Sequence, residues 1–138
     1  YKMVSRVRNY FPNADVHIWS SISNTVAGAK LHRWRKSDFK KYKALNMTVH
    51  LDDPDVVEIW SHLAHAHVLI LSQSAFSMVP AYLNPNCVIY HGHQYVPPSN
   101  WMDGLDDQRP TFDEEFRACM NRAIDQNHSF VTRANRRV

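Results

Sequence analysis

The chain has 138 residues, of which 44% are hydrophobic and 21% are charged, and these proportions predict one compact soluble domain. Its three glycines, Gly28, Gly92 and Gly104, exclude both the GxGxxG dinucleotide turn and the GxxxxGK[ST] phosphate loop. No apolar run approaches the roughly 20 residues that span a bilayer, and no charged-then-apolar leader opens the chain. The formal net charge of +3 suits a polyanionic partner without requiring one.

The residue pattern of the amino-terminal part of the chain predicts one helix and two strands. The apolar spacing of residues 3–11 is that of a short amphipathic helix, which the turn at Pro12 ends. The run DVHIWS over 15–20 predicts a short buried strand, and the polar residues 20–28 predict a loop. The alternation in NMTVHL over 46–51 predicts a second strand.

The segment 30–43 is the most basic part of the chain and carries interleaved aromatic residues. One interpretation is a solvated helix or loop whose aromatic rings pack into the core, which is the usual role of a charge run. The other is a nucleic-acid or phosphate-binding patch with stacking rings. Its cations are Lys30, Arg33, Arg35, Lys36, Lys40, Lys41 and Lys43.

The middle of the chain alternates helices and strands. The turn Asp52-Asp53-Pro54 leads into a helix through residue 66, with Pro54 near its first position. HVLILS over 67–72 predicts a central strand buried on both faces, and CVIY over 87–90 predicts another strand after a helix from about 75 to 84. This order predicts an α/β fold with a parallel sheet and right-handed crossovers.

The carboxyl-terminal third predicts an irregular surface segment and then a helix. Proline, glycine and aspartate residues make 91–110 irregular. Thr111 and Glu114 have capping-box spacing and open the helix. Residues 128–138 are expected to form a basic tail. The apolar face of the helix comprises Phe112, Phe116, Met120, Ala123 and Ile124.

The two cysteines, Cys87 and Cys119, are too few for a disulfide framework and form no CxxC pair. Cys87 lies within an apolar run and is expected to act as a small buried hydrophobe. Whether it has a partner, and which redox compartment the protein occupies, stays open at this point. No GxSxG elbow is present, which argues against a serine hydrolase of that type.

The histidines include three that a zinc site could in principle use. His62 and His65 are three apart on one predicted helix, and His67 opens the next strand. Zinc needs three or four convergent ligands, and helix geometry directs the first two along one face while the third points elsewhere. We therefore expect surface or core histidines and no metal. His91 and His93 follow a strand and are better candidates for contact with a ligand.

The loop over 72–77 is the first candidate binding site, because ligands of open α/β sheets lie outside the carboxyl ends of the strands. It contains three serines and a run of backbone N–H groups at a predicted helix start. Such groups attract anions, and each charge contributes about 0.3–1 kcal/mol at an exposed site. The alternative is that Ser72 or Ser74 simply caps the helix.

The run from Ala66 to Pro85 resembles a motif of fucosyltransferase-like glycosyltransferases, which reads AD-V-L-x-x-S-x-S-S/T-F-S followed by A-x-L-N-P. The resemblance covers residues 11–92 and implies the carboxyl-terminal, Rossmann-like half of a GT-B architecture. That half binds a nucleotide sugar such as GDP-fucose, generally without a metal, and this implies that Glu58 contacts the guanosine. The diphosphate would lie against Ser72, Gln73, Ser74, Ala75, Phe76 and Ser77.

Three departures qualify what this resemblance implies. The chain starts after the strand that would carry the family's HxRR arginine motif, so we expect a donor-binding domain that is incomplete as an enzyme on its own, with unknown catalytic residues. Ala75 replaces a second hydroxyl residue, and Pro80 is expected to displace the helix start.

The resemblance implies the secretory pathway, although no residue addresses the chain there. The alternative is a non-catalytic structural subunit of a larger assembly, including one that contains RNA.

Overall fold

A computed structural model describes residues 2–22, 34–91 and 96–134, and the side chains of the last helix through residue 124. The fold is mixed α/β, with short parallel sheets and flanking helices. No described helix combines the length and the apolar character needed to cross a bilayer. In chain order the elements are α1 (Lys2–Tyr10), β1 (His17–Ser20), α2 (Lys40–Ala44, preceded by a 3-10 turn at Lys36–Phe39), β2 (Thr48–Leu51), α3 (Val56–His65), β3 (Val68–Ile70), α4 (Ala75–Leu83), β4 (Cys87–Tyr90), β5 (Met102–Asp103) and α5 (Phe112–Ala134).

The chain forms two compact units. The smaller unit comprises residues 11–59, and the larger unit comprises residues 1–10 together with 60–138. The prediction of a single domain over the whole chain stays a prediction, because compactness does not show whether either unit folds without the other.

The smaller unit contains the two-stranded parallel sheet of β1 and β2. Both strands form within the segments 15–20 and 46–51 that the sequence predicts. Every described residue of these strands is at least partly exposed, so the expectation that DVHIWS is buried is wrong. Beyond β2, Asp55 precedes α3 and caps its start, since its Oδ1 accepts a hydrogen bond from the backbone N–H of Glu58 at 2.9 Å. Pro54 lies two residues before Val56, the first residue of the helix, and is therefore near the helix start as predicted.

The larger unit contains the three-stranded parallel sheet in the order β3-β4-β5. The central strand is therefore β4, whose Cys87, Val88 and Ile89 are fully buried. The prediction that 67–72 is the central strand is wrong, because among the described strands β3 pairs only with β4, and β3 is partly exposed. β5 lies inside the segment 91–110, which was expected to be irregular. This strand was not predicted from the sequence, because two residues are too few to show a periodic pattern.

A disulfide bond joins Cys87 at the start of β4 to Cys119 on α5, and both residues are fully buried. Cys87 is therefore buried, as expected, but it is half of a covalent crosslink. The predicted apolar face of α5 is confirmed, because Phe112, Phe116 and Met120 are buried. The crosslink thus fixes the inner face of α5 to the central strand.

The ends of α5 differ from the sequence-based expectations. The hydroxyl of Thr111 donates to Oε1 of Glu115 at 2.7 Å, so this threonine pairs with the residue after the predicted capping-box partner, Glu114. The helix continues through Ala134, where a basic tail beginning at residue 128 was expected. Residues 135–138 of the expected tail lie outside the described residues.

The segment that joins α4 to β4 also ties α4 to the end of α3. Asn84 is buried, and its Nδ2 donates to the carbonyl oxygens of Leu63 and Ala66, each at 2.9 Å. Nδ2 of Asn86 donates to the same Ala66 oxygen at 3.1 Å. These amides satisfy carbonyl groups that the end of a helix leaves without intrahelical partners.

Pro80 lies inside α4 and is buried, and the helix nevertheless begins at Ala75. The expectation that this proline displaces the helix start is therefore wrong. Pro80 lacks the N–H group that would bond four residues back, and it fits because a nine-residue helix loses a single bond there while the ring packs in the core.

Candidate anion-binding site

The carboxyl ends of three strands meet at one edge of the larger unit's sheet. The backbone N–H of Leu71 donates to the carbonyl oxygen of Ile89 at 2.8 Å, and that of Gly104 donates to Tyr90 at 2.9 Å. These bonds continue the strand pairing one residue beyond β3 and β5. The loop over 72–77 therefore leaves the same edge at which β4 and β5 end.

Ser74 caps α4, as the simpler of the two interpretations predicts. Its Oγ accepts a hydrogen bond from the backbone N–H of Phe76 at 3.3 Å. Its carbonyl oxygen accepts from the backbone N–H and the hydroxyl of Ser77, at 3.2 and 3.0 Å. Two of the amides at the helix start are therefore satisfied within the loop itself.

Other donors of the loop stay open to solvent. Among the described residues, the backbone N–H groups of Gln73 and Ala75 have no hydrogen-bond acceptor. Ser72, Gln73, Ser74 and Ala75 are all exposed, so a solute can reach these groups. The unpaired amides and the positive end of the helix dipole together favour a bound anion.

Phe76 follows these donors and is 40% exposed. Its ring centroid lies 5.9 Å from that of Trp60 on α3, so the aromatic residue of the motif packs beside another ring. Ser77 is half-buried behind it. The exposed donors of the loop are therefore those that precede Phe76.

Glu58 lies in the first turn of α3 and belongs to the smaller unit, whereas the loop over 72–77 belongs to the larger unit. Its backbone N–H is bound by Asp55, which places it at the third position of the helix. The suggestion that Glu58 contacts a guanosine stays a prediction.

His91 follows β4 directly and is half-buried. A Cβ on Gly104 would lie 2.9 Å from both Cε1 and Nε2 of His91 and 2.7 Å from Cγ2 of Ile89. Because real Cβ atoms do not approach so closely, the imidazole can occupy this position only while residue 104 is glycine. The sheet edge thus holds an imidazole beside the ends of β4 and β5, whereas His93 lies outside the described residues.

Charged side chains near this edge are largely engaged with one another. Burial, and then the nearby carboxylate of Asp103, raise the pKa of Tyr90, so the phenol keeps its proton. The guanidinium of Arg109 pairs with Glu115 and donates to the carbonyl oxygen of Asp106 at 2.8 Å. Hydrogen bonding to Glu115 raises the pKa of Arg109, and this cation is committed to that pair.

The other histidines singled out by the sequence do not form a metal cluster with one another. His62, His65 and His67 are exposed, and Nδ1 of His65 lies 2.8 Å from the carbonyl oxygen of Ser61 in its own helix. Within residues 2–22, 34–91 and 96–134, no group of three or more metal-ligating side chains occurs.

The described part of the basic segment combines both interpretations offered by the sequence. Phe39 is buried and Tyr42 is half-buried, whereas Trp34 is 59% exposed. Lys30 and Arg33 lie outside the described residues. Four exposed cations form no ion pair with any described residue, namely Arg35, Lys36, Lys40 and Lys43.

One cluster of polar and aromatic side chains was not predicted from the sequence. On the sheet of the smaller unit, Nδ1 of His17 lies 2.9 Å from Nε2 of His50, and Nε2 of His17 lies 3.0 Å from Oδ2 of Asp15. The ring of Trp19 stacks on His50 with centroids 4.7 Å apart. The sequence pattern that could have predicted this cluster is the pair of H-x-W and T-x-H spacings, because residues two apart lie on the same face of a strand.

Comparison with protein-family models, with curated proteins and with solved structures gives no match to this chain.

Proposed function

We propose that the chain is the nucleotide-sugar-binding half of a fucosyltransferase-like glycosyltransferase, and that its larger unit has a Rossmann-like fold. The loop over 72–77 would bind the diphosphate of GDP-fucose or a related donor. One observation carries this proposal: exposed backbone N–H groups of Gln73 and Ala75, without acceptors among the described residues, lie at a helix start on the carboxyl edge of a parallel sheet.

The motif has an exposed part and a part with a structural role. Asn84 and Asn86 bind carbonyl groups at the end of α3, which accounts for the L-N-P portion by its role in the fold. The serine-rich portion is exposed and is only partly accounted for by the Ser74 cap. The fold does not fully account for the serine-rich portion, and we therefore assign the proposed binding role to that portion.

The chemistry of this site would be binding and orientation. The open amides and the hydroxyl of Ser72 donate hydrogen bonds to phosphate oxygens, and the dipole of α4 offsets part of the negative charge. His91 at the same edge adds an imidazole that can donate a further bond. Catalytic residues remain unassigned.

The disulfide between Cys87 and Cys119 supports a protein that folds in an oxidising compartment, since such crosslinks are rare in reducing ones. This agrees with the secretory location that the resemblance implies. It also weighs against an assembly with RNA in a reducing compartment.

Calorimetric titration with GDP and with GDP-fucose tests the donor site, and three variants locate it. S74D keeps a side-chain cap and adds a negative charge, so we expect unchanged melting and at least a tenfold loss of affinity, which is about 1.4 kcal/mol. S74A removes the cap but adds no charge, so it should lower stability by about 1 kcal/mol and spare binding.

S99D places the same charge on an exposed turn and should change neither property. No heat and no protection from unfolding at millimolar GDP would remove the donor-site proposal. Binding that S74D and S99D weaken equally would place the nucleotide elsewhere on the protein.

A second candidate function is binding of a polyanion by the smaller unit, as part of a larger assembly. The observation in its favour is that exposed cations close to the exposed Trp34 in the sequence form no ion pair with any residue that the structure describes. If four of them contact single-stranded RNA, the logarithmic salt slope is about −2.8, so affinity should fall about 50-fold between 50 and 200 mM salt.

Replacing Lys36 and Lys40 by glutamine should reduce that slope, whereas R8Q/R117Q removes the same charge from the larger unit and should leave it unchanged. An affinity that does not vary with salt would exclude phosphate contacts.

A further inference from the structure

We propose that His17 and His50 form an open, two-histidine binding site for a divalent transition-metal ion such as Zn²⁺ or Cu²⁺. Nδ1 of His17 and Nε2 of His50 are its protein ligands. The two nitrogens converge at 2.9 Å from neighbouring strands. This site is separate from the loop over 72–77 and does not depend on the proposed nucleotide-sugar function.

The strand register brings the two imidazoles together. His17 pairs with Thr48, and Trp19 pairs with His50, in the parallel ladder of β1 and β2. Since side chains alternate along a strand, these four residues lie on one face of the sheet, and Ile18 and Val49 lie on the other. The meeting of the two rings is therefore set by the backbone pairing.

Asp15 and Trp19 hold the rings in the orientation that a metal requires. Oδ2 of Asp15 lies 3.0 Å from Nε2 of His17, so a proton on Nε2 leaves Nδ1 with its lone pair toward His50. A carboxylate on the far nitrogen is a common companion of metal-binding histidines. Trp19 is stacked on His50 with an interplanar angle of 7°, which limits rotation of that ring.

A metal ion would replace the proton that the two nitrogens share. In the metal-free arrangement, Nε2–H of His50 donates a hydrogen bond to Nδ1 of His17. When a metal ion binds, the proton of His50 moves to the Nδ1 of that same ring. Nε2 of His50 and Nδ1 of His17 then both offer lone pairs to the metal. Tetrahedral zinc with bonds of 2.0–2.1 Å separates two nitrogens by about 3.3 Å. The rings therefore need to separate by only about 0.4 Å from the observed 2.9 Å.

The remaining coordination positions are left to solvent or to a ligand. In the described part of the chain no third histidine, cysteine or carboxylate joins the pair as a ligand. His17 is exposed and His50 is half-buried, so water reaches the site. An open site of this kind can bind an oxygen atom of a small ligand directly at the metal.

Calorimetric titration of the tag-free full chain with ZnCl₂ tests the proposal. We expect one ion per chain and a 10- to 100-fold loss of affinity in D15N, because Asp15 only orients His17. The loss in H17Q and in H50Q should be larger than about 100-fold, because each of these variants removes a ligand. H62Q removes an exposed histidine on α3 and should bind as the unmodified chain does.

Cu²⁺ gives a readout that stands even if a variant fails to fold. Electron paramagnetic resonance of the unmodified chain with one equivalent of Cu²⁺ should show hyperfine coupling to two imidazole nitrogens. Cu²⁺ should also quench the fluorescence of Trp19, so W19F should lose the quenched component. Coupling to a single nitrogen, equal losses in H50Q and H62Q, or no binding of either ion would overturn the proposal.

Discussion

The larger and smaller units differ in how their sheets are held. In the larger unit the first three residues of the central strand are fully buried, and that strand is covalently joined to α5. In the smaller unit no described strand residue is fully buried, and the described buried residues there are Phe39, Met47 and Ile59. The smaller unit keeps polar and aromatic side chains on an exposed sheet face, where ligands can reach them.

This contrast relates stability to exposure. Buried apolar area and a crosslink stabilise a unit, whereas groups that bind ligands must stay accessible. We expect the larger unit to show the slower amide exchange and the smaller unit the faster.

Removing the disulfide should have the largest effect. The crosslink closes a sequence separation of 32 residues, and loop closure of that size stabilises a fold by about 3–4 kcal/mol. Replacing both Cys87 and Cys119 by alanine should lower the free energy of unfolding by about that amount, measured by denaturant titration. Amide exchange should accelerate in β4 and α5; equal acceleration in β1 and β2 would erase the distinction between the units.

Asn84→Ala should lower the free energy of unfolding by about 2–3 kcal/mol, because it leaves two carbonyl groups at the end of α3 without their amide donor. Asn100→Ala is the matched control, since Asn100 is exposed and should change stability by less than about 0.5 kcal/mol. Equal melting temperatures for the two variants would show that the Asn84 contacts do not stabilise the larger unit.

Gly104→Ala should cost about 1–3 kcal/mol, because the added methyl group meets Ile89 and the ring of His91. A second substitution, His91→Ala, removes one of the two obstructions and should restore part of the lost stability. If the double variant is no more stable than G104A, the strain comes from Ile89 alone.

Acidification should have the smallest effect and should act on the larger unit. Hydrogen bonds from Arg109, and then from Thr111, hold the pKa of Glu115 below its ordinary value. A carboxylate with a lowered pKa in the folded state stabilises the fold above its unfolded pKa, and that contribution is lost as pH falls through the folded pKa. E115Q should therefore flatten the stability curve at pH values below the ordinary glutamate pKa of 4.5. An unchanged curve would show that the pair with Arg109 does not contribute.

The sequence predicted most helices and strands because their signals are local. The alternation in TVHL, the buried run CVIY and the apolar face of α5 each specify an element from a few neighbouring residues. The carboxyl-edge position of the loop over 72–77 follows from the predicted strand before it. The Ser74 cap was also foreseeable, since serine before a helix commonly accepts a hydrogen bond from its first turn.

Several features depended on contacts between residues distant in the chain. The crosslink between Cys87 and Cys119 requires α5 to pack on β4, and no spacing in the sequence encodes that contact. The central position of β4 depends on β5, which is two residues long. His17 and His50 meet only because β1 and β2 pair in one particular register.

Taken alone, the residue pattern determined where helices and strands form and which faces are apolar, because backbone propensity and side-chain periodicity act over a few residues. Tertiary structure decided how the strands divide into two sheets, which cysteines join and which imidazoles meet. Those outcomes depend on pairing and packing between segments that lie far apart in the chain, where a shift of one residue changes every side-chain contact.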